Sequence, residues 1–532
     1  MATFDDVLEE AGAFGRCQKR IFALLSVLPL TSAGFFAGIV FQGYTPDHWC
    51  RDSAVVDMRR ACGWSLEHTR SLTVPLSNTS GRLQPSKCTR FDVDWNTTTL
   101  GCDTETLNLT GVPLSACKEG WEFDYEGRRT FVTEPTNILL SQFNLVCSDS
   151  WLVDMFQSVI GVGYLVGSLT VGYFSDTYGR KVSIIMTTLL NCMAGISMAV
   201  APSYICILIL RAVVGFGAKG SFTSCYVLLT EIVGVEQRRF VGIIYQMFYS
   251  ISFLIIPLLA YFITDWRWLQ AAFCLPSFIF VCYYWFIPES PRWLVSQKKF
   301  SKAYEITNAM ATENKRNISK NLEALAEDEG DSPSASILDL FRTPNMRKYT
   351  LILMFNWFTS EVVYQGLIMR VGITAKNLYI DFFISALLEI PAAFLIVFTI
   401  ERMGRRLPFA SSNFIAGLSC LITAFIPDSM HWAKTVVGSI GRLGVVMAVE
   451  MVVFVNTELF PTFVRNLGVS ICSTLCDIGS IVAPFVFYRL VNVWQDLPLV
   501  VFGVISLMGG ALVLLLPETK GVPLPDTIDD VE

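Results

Sequence analysis

Ionisable side chains set inside long apolar stretches are the residues of this chain that can do chemistry, because a charge in hydrocarbon is costly and marks a working site. Asp477, Glu450 and Glu389 are such acids, and Lys219 and Arg442 are such bases. A carboxylate in a region of low dielectric attracts a cation far more strongly than it can in water. Asp477 therefore leads as the holder of a positively charged guest, followed by Glu450 and then Glu389. The alternative is mutual neutralisation, which suits Arg442 and Glu389 best. Between the two lies a switch in which Lys219 holds Asp477 while the site is empty and yields it to the guest.

Ring faces supply the other half of cation binding, attracting a soft cation within about 6 Å for roughly 0.5 to 2 kcal/mol. Trp357, Glu361 and Tyr364 recur at i, i+4 and i+7 and so stack on one side of a helix. Lys219, Phe222 and Tyr226 share a face in the same way, as do Tyr245, Phe248 and Tyr249, with Gln246 beside them. Plain helix packing produces such stripes too.

These residues need long apolar elements to hold them. The chain has 532 residues, 52% hydrophobic and 16% charged, which places it in a bilayer. A span needs about 20 mostly apolar residues. Twelve stretches qualify, near 21–43, 151–174, 182–201, 205–232, 240–263, 269–287, 350–370, 378–400, 407–426, 435–460, 467–490 and 498–517. They must be helices, since lipid satisfies no backbone hydrogen bond and no alternation of the outer-membrane barrel kind is present.

Positive residues orient the chain. Arg16, Lys19 and Arg20, Arg180 and Lys181, Arg238 and Arg239, Arg402, Arg405 and Arg406, Arg465 and Lys520 all fall on one side, against Arg267, Lys376 and Lys434 on the other. Both termini are expected in the cytoplasm of a plasma-membrane protein, with no cleaved signal peptide. The loop at 44–150 agrees, for it holds Cys50, Cys62, Cys88, Cys102, Cys117 and Cys147 and the sequons at Asn78, Asn96 and Asn108. That combination reads as a disulfide-bonded, glycosylated domain in an oxidising space, through which copies can associate. Six cysteines leave 15 pairings open. A zinc site is the rival reading, disfavoured by the lack of any CxxC pair in the loop, and the sequon at Asn317 should stay unmodified in the cytoplasm.

The expected layout is a cytoplasmic N-terminus at 1–20, a six-helix half at 21–287 that includes the outer loop, a linker at 288–348, a second six-helix half at 349–517 and a tail at 518–532. Asp176 to Lys181 (DTYGRK) recurs 225 residues on as Glu401 to Arg406 (ERMGRR), Thr230-Glu231 with Arg238 recurs 227 on as Thr457-Glu458 with Arg465, and Pro288-Glu289 recurs 229 on as Pro517-Glu518. One near-constant period indicates an internal duplication, the layout that lets two halves rock around a central site. Asp176, Arg180, Glu231 and Arg238, with their counterparts Glu401, Arg405, Glu458 and Arg465, are candidates for a latch that locks the cytoplasmic side while the outside is open. Topology signalling alone is the plainer role for the arginines.

Gly172 to Lys181 (GYFSDTYGRK), Pro288 to Leu294 (PESPRWL) and Pro517 to Gly521 (PETKG) resemble the signatures of the major facilitator superfamily. The six-cysteine loop narrows the resemblance to its organic ion branch. Trp357-Phe358-Thr359, Tyr364 to Leu367, Asn466-Leu467-Gly468 and Cys476 to Gly479 are similar to the polyspecific organic cation transporters of the solute carrier 22 branch, across essentially the whole chain. Different segments resemble different subtypes, so the subtype stays open. The resemblance implies an all-α polytopic membrane protein with the major facilitator fold, twelve transmembrane helices in two six-helix pseudo-repeats, and a disulfide-rich extracellular domain between helices 1 and 2. It also implies facilitated, potential-driven uniport of amines, quaternary ammoniums and cationic drugs, without ATP or a coupled ion; no metal or other cofactor is expected. By resemblance, Phe36, Phe222, Tyr245, Gln246, Tyr249, Trp357, Tyr364, Glu450, Ser473, Cys476 and Asp477 fall on positions lining a central cavity.

Two positions depart from the pattern. Phe222 stands where Trp is common, and Glu361 where a small polar residue is usual; a cavity-facing Glu361 adds negative charge and alters cation preference. Other functions fit less well. A net charge of −6 argues against nucleic acid, and no GxxxxGK[ST] loop is present to drive pumping. A channel would need a filter or pore ring. None of His48, His68 and His431 lies mid-membrane to serve an enzyme. A sugar porter wants amide-rich walls, and an anion or zwitterion exchanger of the same superfamily is the nearest alternative.

Overall fold

In a computed structural model, the chain is described at residues 4–79, 82–93, 102, 111–117, 119–124, 129–132, 145–318, 337–374, 377–427, 429–461, 464–520, 525 and 531. Eleven helices in it are long and apolar enough to cross a membrane: spans 1 to 11 run Arg16–Gln42, Cys147–Tyr178, Arg180–Ala199, Tyr204–Ile232, Val235–Phe262, Trp266–Phe286, Pro344–Val371, Leu378–Ile400, Arg406–Phe425, His431–Leu459 and Leu467–Val491. Span 12, Leu497–Val513, is shorter. Its 17 residues reach about 25 Å, and apolar Leu514 to Leu516 lengthen it further. The expected twelve helices are therefore present.

Several spans are interrupted, or carry a proline, where the sequence removes a backbone donor. Proline takes an N–H out of the helical ladder and crowds the preceding turn. Span 1 is broken before Pro29, span 8 divides at Leu388 with Pro391 just beyond, and Pro257 and Pro484 lie inside spans 5 and 11. Span 6 passes through a 3-10 segment, Leu275–Cys282, that opens beside Pro276.

The duplication is visible in the packing. A Cβ at Gly217 of span 4 would stand 2.8 Å from Asn191 and from the Thr187 carbonyl of span 3. At Gly444 of span 10, 227 residues later, it would stand 2.8 Å and 2.9 Å from the backbone of Ala416 and Ser412 of span 9. Small residues let these helix pairs approach closely in both halves.

The polar segments outside the spans are more ordered than their composition suggests. Helices Phe4–Gly12, Pro291–Ser296 and Phe300–Glu313 form at the end of the bundle that bears the linker, here the linker face. Asp5 pairs with Arg238 and Arg292, and the Asn314 side chain accepts from the Cys17 N–H at 3.0 Å and donates to the Ala11 carbonyl at 2.8 Å. These anchors extend the structured halves past the expected limits, so span 1 begins at Arg16 and span 7 at Pro344.

The chain between spans 1 and 2 forms a unit of its own, Gln42–Val153 with Thr264–Trp266. It contains three antiparallel strand pairs, His48–Cys50 with Trp121–Phe123, Leu76–Thr79 with Arg82–Pro85 and Thr89–Phe91 with Leu114–Ala116. Two-stranded ribbons are marginal in isolation. Here Cys50–Cys117, Cys62–Cys102 and Cys88–Cys147 are bonded, using all six expected cysteines. Closing loops of 40 to 67 residues stabilises by about 4 kcal/mol per bridge in the chain-entropy account. Asn78 lies in a strand, whereas Asn96 and Asn108 fall outside the described residues.

Candidate functional site

A cavity of about 280 Å³ lies among the spans of both halves. Helical periodicity explains its wall. On span 7, Trp357, Glu361 and Tyr364 all face it, as their spacing predicts. Span 4 contributes Lys219 and Phe222, span 5 Gln246 and Tyr249, span 10 Glu450, span 11 Cys476 and Asp477, and span 1 Phe36. Eleven of the thirteen expected residues are thus brought together.

Tyr245 and Ser473 are not on this wall. Tyr245 is fully buried behind it, its hydroxyl donating to the Phe222 carbonyl at 3.0 Å and its ring 5.1 Å from that of Phe222. A side chain 100° round the helix from Gln246 is turned toward span 4 instead. Ser473 has the right face but lies a turn nearer the linker face, where its hydroxyl donates to the Ser470 carbonyl. Ser32, Tyr164 and Ser480 line the cavity without having been anticipated. Tyr164 falls one turn from Gly161 and Ser168 on span 2, a spacing that points to it once span 2 is known to face span 11.

The charges on the wall are arranged in pairs. Lys219 Nζ is 2.9 Å from Asp477 Oδ1, and the Ser168 hydroxyl donates to Asp477 Oδ2 at 2.7 Å. Asp477 is only 2% exposed, so it needs both partners to stay ionised away from water. Those partners join spans 2 and 4 to span 11, across the two halves. Arg442 Nε donates to Glu389 Oε1 at 2.9 Å, and Nη2 donates to the same oxygen. The Arg442 guanidinium lies 5.5 Å, 5.7 Å and 5.9 Å from the rings of Phe253, Tyr364 and Phe382. Neutralisation therefore holds for Arg442 and Glu389. Glu361 faces the cavity and accepts from the Cys476 thiol at 3.3 Å.

Rings complete the wall. Phe36 stacks 6.3 Å from Tyr164 and 6.4 Å from Tyr364, and Phe222 meets Tyr249 edge-on at 5.6 Å. Beyond the cavity, on the side away from the linker face, Phe41 lies 5.2 Å from Phe382 and 5.6 Å from Tyr379, and the Tyr379 hydroxyl donates to the Ala260 carbonyl. Spans 2 and 11 show the same gradient. A Cβ at Gly161 would meet the Ser480 hydroxyl at 2.5 Å and Ile481 at 2.9 Å, while one at Gly172, nearer the linker face, would meet nothing within 4 Å. Spans 2 and 11 thus touch above the site, while Gly172 of span 2 faces open space below it.

The expected latch residues form two matching clusters at the linker face. Arg180 pairs with Glu231 at 3.0 Å and Asp176 at 2.5 Å, and Arg405 pairs with Glu458 at 3.0 Å. The backbone N–H groups of Arg180 and Lys181 donate to Glu289, and those of Arg405 and Arg406 donate to Glu518. Each glutamate thus caps the exposed donors at the start of span 3 or span 9. Burial lifts the Glu289 carboxyl above the usual range despite these donors. Glu518 is less buried, and the N–H groups of Arg405, Lys520 and Arg406 outweigh that burial and hold it below the usual range. Arg238 donates to the Thr230 carbonyl and pairs with Asp5, and Arg465 donates to the Phe460 carbonyl. The Glu401 side chain lies outside the description. Each of these described pairs stays within one half, so they clamp a half's own helix ends rather than bridge the two.

Gly179 and Gly404 make those caps possible, with φ of +107° and +87°. Gly404→Ala is expected to cost about 1–3 kcal/mol, because the backbone there is left-handed and the new Cβ would fall 2.7 Å from the Glu518 carboxyl. Thermal unfolding of the detergent-solubilised protein measures this, with Gly172→Ala, whose Cβ enters open space, as the comparison that should not lower the midpoint.

Residues 107–528 match the family described as Sugar (and other) transporter. Solute carrier family 22 member 2 of Homo sapiens is 47% identical over 536 residues, covering 100% of this chain and 95% of the relative. Solute carrier family 22 member 1 of Bos taurus is 48% identical, with coverage of 100% and 93%, and solute carrier family 22 member 3 of Mus musculus is 46% identical, with 100% and 96%. Among solved structures, the major facilitator superfamily proton:xylose symporter XylE bound to 6-bromo-6-deoxy-D-glucose superposes with a TM-score of 0.57 at 18% identity, over 71% of this chain and 88% of that one. The partially occluded inward-open form of XylE from E. coli gives 0.59 at 17% identity, over 71% and 91%. At such identity the likeness carries the fold alone.

Proposed function

We propose that this chain, which belongs to solute carrier family 22 within the sugar-and-other transporters and is a multi-pass membrane transporter rather than an enzyme, moves small organic cations by alternating access. The observation that carries this reading is the charge of the cavity. Its wall holds the carboxylates of Glu361, Glu389, Glu450 and Asp477, whereas Lys219 is committed to Asp477 and Arg442 to Glu389. An excess of negative charge among ring faces suits amines and quaternary ammoniums, and it disfavours a free carboxylate on the guest.

Passage is uniport driven by the membrane potential. One elementary charge gains about 2.3 kcal/mol per 100 mV, which at equilibrium is roughly a fiftyfold accumulation. The open space beside Gly172 of span 2 below the site and the ring contacts above it support one access state of a rocking cycle. Positive residues on the linker face support cytoplasmic termini in a plasma membrane.

Cells expressing the chain are expected to take up labelled tetraethylammonium, and depolarisation with high external potassium should cut accumulation several-fold. A parallel panel of para-aminohippurate, carnitine and glucose tests the alternatives. Preferential uptake of para-aminohippurate or carnitine would replace the cation reading with an anion or zwitterion one.

A further inference from the structure

The charges around the cavity do not cancel, and the surplus is localised. Asp477 has both oxygens engaged, and Glu389 is engaged by Arg442. Two carboxylates remain, Glu361 on span 7 and Glu450 on span 10. Among the described residues, neither forms an ion pair: Glu450 is met by the neutral Gln246 amide, and Glu361 by the Cys476 thiol, a weak donor, with Lys219 near enough to attract it but bonded to Asp477. Burying two ionised carboxylates without an ion pair of their own costs several kcal/mol each. A cavity built this way is completed by two positive charges rather than one.

Resting on the cation reading above, we propose that this transporter takes doubly charged organic amines, with one ammonium group received by Glu361 and the other by Glu450. The hydrocarbon spacer lies against the rings of Tyr249, Trp357 and Tyr364, which line the same space. A volume of about 280 Å³ is near the lower end of small-molecule sites, so the preferred dication is compact, with a short spacer. Asp477 keeps Lys219 in this scheme and acts on the guest only through the cavity's total charge.

The test uses cells expressing the full chain and two probes, tetramethylammonium and a series of bis(trimethylammonium)alkanes of increasing spacer length. Uptake should peak at one short spacer and exceed that of tetramethylammonium, and it should depend more steeply on membrane potential because two charges move per molecule. In Glu361→Gln and in Glu450→Gln, the ratio of dication to monocation uptake should fall about tenfold, with rates normalised to surface-labelled protein. If a variant fails to reach the surface, the spacer profile of the parent still decides. Tetramethylammonium uptake without any preferred dication would overturn this inference and leave cation transport standing. An unchanged ratio in Glu361→Gln would overturn it as well, and absence of uptake of either probe would bring down both readings together.

Discussion

Asp477→Asn is expected to lower uptake of a quaternary ammonium by at least about tenfold while the protein still reaches the cell surface. The substitution removes the partner of Lys219 Nζ, 2.9 Å away, and leaves an ammonium group facing the cavity. Breaking a buried pair by removing one member costs about 3–5 kcal/mol. Lys219 keeps 28% of its side chain exposed, so the lower part of that range applies, and about 1.4 kcal/mol of it directed against an arriving cation is already tenfold. Lys219→Met combined with Asp477→Asn should recover much of the loss, because the repelling charge is gone. Parental rates in the single variant would refute the role given to this pair. A double variant no better than the single one would mean that the carboxylate itself touches the guest.

The largest effect on stability is expected at Arg442, which is 1% exposed beside a Glu389 that is 2% exposed. Neither group has water to fall back on, so no discount for screening applies. Arg442→Met should destabilise the solubilised protein by about 3–5 kcal/mol, because Glu389 would be left charged with only the Tyr364 hydroxyl, 3.4 Å away, or forced to take up a proton. It also removes the cation that lies among the rings of Phe253, Tyr364 and Phe382. Phe253 belongs to span 5 and the other two rings to spans 7 and 8, so this cluster ties the halves together above the site. Glu389→Gln together with Arg442→Met should restore most of the thermal midpoint. Equal midpoints for the single and double variants would show that ring packing, not the ion pair, holds the region.

Much of this was legible from residue types and spacing. The spans follow from hydropathy, because hydrocarbon leaves the backbone no alternative to a helix. The wall of span 7 follows from a turn of 100° per residue, which put Trp357, Glu361 and Tyr364 on one side wherever the helix pointed. Matching motifs 225 to 229 residues apart announced two equivalent halves, and Gly217 and Gly444 occupy equivalent contacts in them. Where spacing failed, it failed for a geometric reason. Ser473 has the right angle and the wrong depth, and Tyr245 sits near enough to the correct face to be counted while turning into its own half. Angle is a local property, whereas depth depends on how far the neighbouring helices slide.

Hydropathy, charge placement and periodicity are properties of short windows, and the bilayer acts on each window separately; hence the number of crossings, their repeat and the acidic, aromatic character of the site could be read along the chain. Partner choice is different, since it depends on which distant segments meet. Lys219 and Asp477 are 258 positions apart, Ser168 and Asp477 309, and Cys62 finds Cys102 rather than any other thiol. Packing alone set which carboxylates are paired, Asp477 with Lys219 and Glu389 with Arg442, because a pair forms only where two side chains are brought within about 4 Å of each other.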